Sequence, residues 1–246
     1  RQASPSFLVL LLLSVMLGYI SIYSWFGKPH PVACGFQPWL LGLSANSMIT
    51  VLSVKNFRIW RIFKDPMKKL RVTDLELLIL WVLIMLPSVV ILIVWTIVST
   101  PTAALVERNG EDHYICISQG FTGETGGIVF FSVFVSYSAI VLFIGAFISF
   151  QIRNVPSQWN ETKLMTISIY NLAFLSVVII PVFIVIQPIN PFAAWVIRTI
   201  AILYAFSATL ALQFIPMLYH IIINRGKNNT NFSSSIVSNR SSKSIN

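Results

Sequence analysis

Long apolar runs alternate with short polar connections along the whole chain. Six runs reach the ~20 residues, about 30 Å of helix, that cross the hydrocarbon core of a bilayer. They are residues 7–26, 36–57, 75–100, 128–150, 164–187 and 193–219. Lipid offers backbone amides no partner, and the runs lack the ten-residue alternation of a barrel strand. The pattern therefore predicts an all-α, polytopic membrane helix bundle with six spans and both chain ends on one side.

Prolines interrupt several of these runs. Pro87, Pro181 and Pro216 lie inside predicted spans, where neighbouring helices make a kink tolerable. Pro38 falls in the first turn of the predicted second span, a position that costs no hydrogen bond.

The composition supports a membrane protein and excludes several other classes. Of the 246 residues, 56% are apolar and 10% are charged, against roughly a quarter charged in a soluble domain. Such a chain is neither an ordinary soluble globule nor a disordered one. No histidine pair has the helical spacing of a metal site, and no glycine-rich loop ends in Lys-Ser or Lys-Thr. We therefore predict no cofactor, no metal and no catalytic activity.

The basic residues predict the orientation of the bundle. The chain ends and the connections after the second and fourth spans hold most of the 17 lysines and arginines. The connections on the opposite side hold only Lys28 and Arg108, while Lys55 and Arg198 lie within spans. By the positive-inside rule we expect both ends of this multi-pass membrane protein to be cytoplasmic. The net charge of +9 then faces anionic membrane lipid, and no nucleic-acid partner is needed to explain it.

The chain has two cysteines, and both fall on the predicted external side. Cys34 precedes the second span and Cys116 lies in the long connection after the third. Oxidising conditions there allow one bridge between them. The alternative is two free thiols.

Of the ionisable residues within predicted spans, Lys55 is the strongest candidate for a functional role. It lies six residues, about 9 Å, above Arg61 on the second span. Its ammonium could snorkel to the inner headgroups. Glu161 starts the fifth span at the same predicted depth, so a contact between the two charges would clamp two helix ends.

The connection after the second span mixes basic and apolar side chains. Residues 58–71 interleave arginines and lysines with Ile62, Phe63 and Met67. This surface could bind membrane lipid headgroups alone, or it could receive a helix end of a cytoplasmic partner.

Three stretches carry a family resemblance: VKNFRIWRIFKDPMKKLR, QIRNVPSQWNETKLMTISIYN and FIPMLYHI. Together with the placement of the two cysteines, they resemble class C G-protein-coupled receptors, most closely the metabotropic gamma-aminobutyric-acid branch. The family has seven helices, so the resemblance implies that this chain lacks helix one. Residues 1–6 then end the first intracellular loop, residues 7–223 form helices two to seven, and residues 224–246 form a disordered cytoplasmic tail.

The resemblance also implies roles for individual residues. Cys34 and Cys116 match the family disulfide, and Lys55 and Glu161 match an intracellular ionic lock whose acid is usually Asp. The residues implied to contact the G protein are Arg58, Arg61, Lys64, Met67, Lys68, Lys69 and Arg153. Pro66 distinguishes this loop from the family pattern. The family works as homo- or heterodimers and binds its agonist in an extracellular domain that is absent from this chain.

The resulting prediction is a receptor membrane domain. It would carry the signal of an extracellular amino-acid-like, GABA-type ligand to a cytoplasmic heterotrimeric G protein. One alternative is a solute transporter or channel, although residues 7–100 and 128–219 show no half-repeat. The other alternative is a non-coupling partner subunit of a receptor dimer.

Overall fold

The computed structural model describes residues 5–24, 31–64, 73–108, 111–120, 123–153, 161–186, 189, 192–215 and 218. Within these residues the helices are α1 (Pro5–Tyr23), α2 (Pro31–Lys64), α3 (Asp74–Val98), α4 (Gly123–Ile152), α5 (Glu161–Ile186) and α6 (Phe192–Ile215). Each predicted span therefore corresponds to a helix, and the predicted helical membrane bundle is confirmed. Residues 1–4, Met67, Lys68, Lys69 and the tail 224–246 lie outside the described residues.

Five of these helices, all except α2, are long and apolar enough to cross a membrane. At 34 residues α2 has the length, yet its sequence does not meet the same apolar standard. The reason is that α2 faces protein more than lipid. Residues 46–56 of α2 are all buried, and they include both polar and apolar side chains.

Four of the other five helices pack against α2. It contacts α1, α3, α4 and α5. Helix α6 packs beside α1 and α5, where Tyr19 and Ser207 share a 2.8 Å hydrogen bond and Gln213 donates to Ser168 at 3.2 Å. Gly18 makes the close approach of α1 to α6 possible, because a Cβ at this position would collide with the ring of Phe206.

The structure corrects the predicted start of α2. The helix begins at Pro31, so Pro38 lies inside it and not in its first turn. Proline is favoured at the first position of a helix because the missing N–H would have no intrahelical partner there. Pro87 and Pro181 lie inside α3 and α5, as predicted.

A β-hairpin, which the sequence reading did not predict, follows α3. Strand β1 (Ser99–Arg108) pairs antiparallel with β2 (Glu111–Gly120), with Ala103 opposite Cys116. The predicted third span was two residues too long, because the chain changes from helix to strand at Ser99. The hairpin contacts α2, α3 and α4. We call this side of the bundle the hairpin end, and the opposite side, where α2 ends and α3 begins, the basic end.

Candidate functional site

A disulfide fixes α2 to the hairpin. Cys34, in the first turns of α2, is bonded to Cys116 of β2, with an S–S distance of 2.01 Å and a Cα–Cα distance of 5.6 Å. The predicted pairing is therefore present in the structure. Because 82 residues separate the two cysteines, the bond closes a long loop and restricts the unfolded chain accordingly.

Hydrogen bonds to both neighbouring helices hold the same end of α2. The Gln37 side chain donates to the Ser24 carbonyl at 3.0 Å, next to the end of α1. The Trp39 indole donates to the Thr96 hydroxyl of α3 at 2.8 Å. Three separate attachments, to the hairpin, to the end of α1 and to α3, therefore hold this end of α2.

Buried polar contacts continue along the middle of α2. The Ser14 hydroxyl of α1 donates to Ser47 at 2.8 Å, and the Asn46 amide donates to the Ser88 hydroxyl of α3. A buried polar group that loses its hydrogen-bond partner destabilises the fold, because no water can replace the partner. These bonds therefore fix which face of each helix meets which neighbour. The Asn46 carbonyl oxygen has no partner among the described residues.

At the basic end α2 is bonded to α4. The Asn56 amide donates to Ser149 at 2.6 Å in a fully buried contact. One turn further, the Trp60 indole donates to Gln151 at 2.9 Å. Gly145 brings the two backbones close together, because a Cβ there would collide with the side chain of Ser53. This α2–α4 seam was missed by the sequence reading.

Lys55 lies beside this seam with only 8% of its surface exposed. An ammonium group buried to this degree requires a hydrogen-bonded or charged partner. Helix α5, which begins at Glu161, contacts α2. The side chain of Glu161 lies outside the described residues, so the Lys55–Glu161 contact stays a prediction.

The basic residues predicted to meet a partner are partly described. Arg58 forms a 2.9 Å salt bridge with Asp74 at the start of α3, and both side chains are partly exposed. Arg61 and Arg153 are exposed, and the Arg153 guanidinium lies 4.1 Å from the centre of the Phe150 ring. The side chain of Lys64 lies outside the described residues, as do Met67, Lys68 and Lys69. The structure thus places Arg58 and Arg61 at the basic end of α2, and Arg153 at the end of α4.

Among the residues that the structure describes, no group of three or more histidine, cysteine, aspartate or glutamate side chains could hold a metal ion. The polar groups buried among the described residues are mainly hydroxyls and amides. Some join two helices, and others, such as Thr50 and Ser53, donate to a carbonyl of their own helix.

Comparison with protein families gives a match over almost the whole chain. Residues 1–217 match the family described as "7 transmembrane sweet-taste receptor of 3 GCPR", the seven-helix domain of class C G-protein-coupled receptors.

Similar full-length proteins occur in Dictyostelium discoideum. The chain is 31% identical over 226 residues to metabotropic glutamate receptor-like protein E, covering 90% of this chain and 27% of the relative. It is 32% identical over 239 residues to metabotropic glutamate receptor-like protein M, covering 94% of this chain and 31% of the relative. The chain therefore spans less than a third of the length of these curated relatives.

Proposed function

Since this chain belongs to the class C G-protein-coupled receptor family, we propose that it carries the signal of an external ligand to a cytoplasmic heterotrimeric G protein. The observation that carries the proposal is the family match over residues 1–217, which makes the chain a receptor membrane domain. The proposed ligand is amino-acid-like, of the GABA type. Its site is proposed to lie in an extracellular domain outside these 246 residues.

In this proposal α2 is the element that links the two faces of the membrane. Its hairpin end is fastened by the disulfide and by Trp39, and its basic end by Asn56 and Trp60. A rigid helix attached at both ends transmits a small displacement along its length. An external event would therefore shift a population between two packings of the basic end.

The proposed restraint on the resting packing is an ionic lock between Lys55 and Glu161. The burial of Lys55 supports it, because removing one partner of a desolvated pair typically costs about 3–5 kcal/mol, and less where water reaches it. A free energy of this size moves a two-state equilibrium from one extreme almost to the other.

The proposed surface for the G protein is the basic end itself. Arg58, Arg61 and Arg153 lie there, and the implied contacts Lys64, Met67, Lys68 and Lys69 follow in the sequence. This assignment requires both chain ends to be cytoplasmic, which the distribution of basic residues supports. The proposed location is the plasma membrane, where a receptor of this family would meet an external ligand. We also propose that the receptor works as a homo- or heterodimer, as its family does.

Charge exchange tests the proposal in the full-length receptor in cell membranes. Lys55→Ala and Glu161→Ala should each raise agonist-independent nucleotide exchange on the G protein, because each variant releases the lock. The exchanged pair, Lys55→Glu with Glu161→Lys, should restore the low basal rate in part. Lys163→Ala is the matched control, since it removes an exposed ammonium two residues after Glu161. Unchanged basal exchange in both single variants would remove the lock from the mechanism.

A further inference from the structure

A groove lies between α2 and α3 at the basic end, outside the α2–α4 seam. It encloses about 230 Å³. Phe57 and Arg61 of α2 form one side, while Glu76, Leu80 and Leu83 belong to the α3 side. The groove is therefore apolar along most of its length and carries one cation and one anion.

The two charges of the groove do not neutralise one another. Arg58 and Asp74, their neighbours, form a salt bridge at 2.9 Å. Within the described part of the chain, by contrast, Arg61 and Glu76 form no ion pair with each other, although both line the same groove. The groove thus offers a positive and a negative group that a single ligand can contact at once.

The α3 wall faces the membrane. Ile79 and Leu83 are 51% and 60% exposed, and α3 is one of the helices that can cross a bilayer. Leu83 lies seven residues, about 10 Å, along the helix from Glu76. With Glu76 at the level of the lipid headgroups, the apolar wall runs into the hydrocarbon region, where an acyl chain would lie.

We propose that this groove binds an aminophospholipid of the phosphatidylethanolamine type. The Arg61 guanidinium contacts the lipid phosphate, because its planar fork suits phosphate oxygens. The Glu76 carboxylate accepts hydrogen bonds from the primary ammonium, and an acyl chain lies along Leu80 and Leu83. Placing this lipid in the cytoplasmic leaflet rests on the orientation in the proposed function.

The alternatives differ from this lipid by one group each. Phosphatidylcholine has a quaternary nitrogen without N–H donors, and phosphatidylglycerol has no cation for Glu76. If the groove recognises both charges, ethanolamine lipid is preferred over each of the others. One exposed ion pair favours binding about two- to fivefold, and we expect a preference of this size.

Native mass spectrometry of the protein purified from membranes measures this preference. Equimolar lipids with identical acyl chains are added, and the retained lipid is counted for each headgroup. Arg61→Gln should lower retention of the ethanolamine lipid. Glu76→Gln should abolish its advantage over phosphatidylcholine while leaving phosphatidylglycerol bound. Arg153→Gln is the matched control, since it removes a guanidinium that lies outside the groove, and it should change neither result.

Equal retention of ethanolamine and choline lipids by the unmodified protein would overturn the proposal. A preference for phosphatidylglycerol would overturn it too, because it would show attraction to basic residues without recognition of the ammonium. The assay contains neither agonist nor G protein. Failure of the lipid proposal is therefore separable from failure of the signalling proposal.

Discussion

Of helices α2 and α5, the more polar helix, α2, is the more deeply buried one. Helix α2 is too polar to qualify as a membrane span by composition, yet residues 46–56 are all buried. Helix α5 is strongly apolar, and side chains such as Val177, which is 73% exposed, point away from the rest of the protein. The comparison shows that in this bundle polar side chains are concentrated in the centre, beside apolar ones, while the surface is apolar because lipid is the solvent.

Asn56 of α2 and Ser176 of α5 differ in whether their side chains join a second helix. Asn56 of α2 donates across the interior to Ser149 of α4. Ser176 of α5 donates to the Leu172 carbonyl of its own helix, a bond that joins no second element. Substitutions on α2 should therefore disturb the whole bundle, whereas matched substitutions on the lipid-facing helices should not.

The largest effect is expected where α2 and α4 approach most closely. Gly145→Ala places a Cβ against the Ser53 side chain, so the Ser53 hydroxyl must leave its bond to the Ile49 carbonyl and the contact between the two helices must widen slightly. Overpacking of this kind costs up to about 3 kcal/mol of unfolding free energy. Denaturant unfolding in lipid nanodiscs, followed by tryptophan fluorescence, measures the cost. Gly35→Ala is the control, because a Cβ there meets nothing within 4 Å. Equal stability of the two variants would show that the seam is loosely packed.

A cavity in α2 should have the next largest effect. Val51 is fully buried, so Val51→Ala removes two methyl groups from a packed site and should cost about 2 kcal/mol. Val177→Ala on α5 makes the same chemical change at a lipid-facing position and should cost less than about 0.5 kcal/mol. The same unfolding assay measures both. If the two costs were alike, α2 would not be the central helix.

The smallest effect is expected for a single hydrogen bond of the seam. A double-mutant cycle with Asn56→Ala and Ser149→Ala should give a coupling energy of about 0.6 kcal/mol, the average for such bonds between membrane helices. In the matched cycle Ser176→Ala replaces Ser149→Ala, and it should show no coupling to Asn56→Ala. Coupling of zero in the first cycle would mean that the buried contact does not hold α2 to α4.

Much of the fold could be predicted from the apolar runs alone, because a bilayer fixes the length of a span. The limits of α2 could not be predicted in this way, because the helix continues to Lys64 along basic residues that a hydropathy pattern assigns to a loop. The hairpin was missed although its sequence contains a signal. Asn109-Gly110, between β1 and β2, is the commonest two-residue hairpin turn sequence. The run HYICIS contains the aromatic and β-branched residues that strands favour.

The parts of the candidate site that could be predicted are those for which the chemistry of the side chains allows few alternatives. Two cysteines on one side of a membrane allow a single intramolecular disulfide, and Lys55 within a span required an explanation. The contact between Asn56 and Ser149 could not be predicted, because 93 residues separate them and neither is unusual in its own helix. Only the angle and distance between α2 and α4 bring them together.

Basal nucleotide exchange by the full-length receptor with Lys55 and Glu161 interchanged tests the central claim most directly. If α2 is held at its basic end by opposite charges, the interchanged receptor should have lower basal nucleotide exchange than either single alanine variant, because the attraction is restored with the signs reversed. The account would be contradicted if the receptor with the two charges interchanged had the same basal exchange as the single alanine variants. It would also be contradicted if the single variants had the same basal exchange as the unmodified receptor.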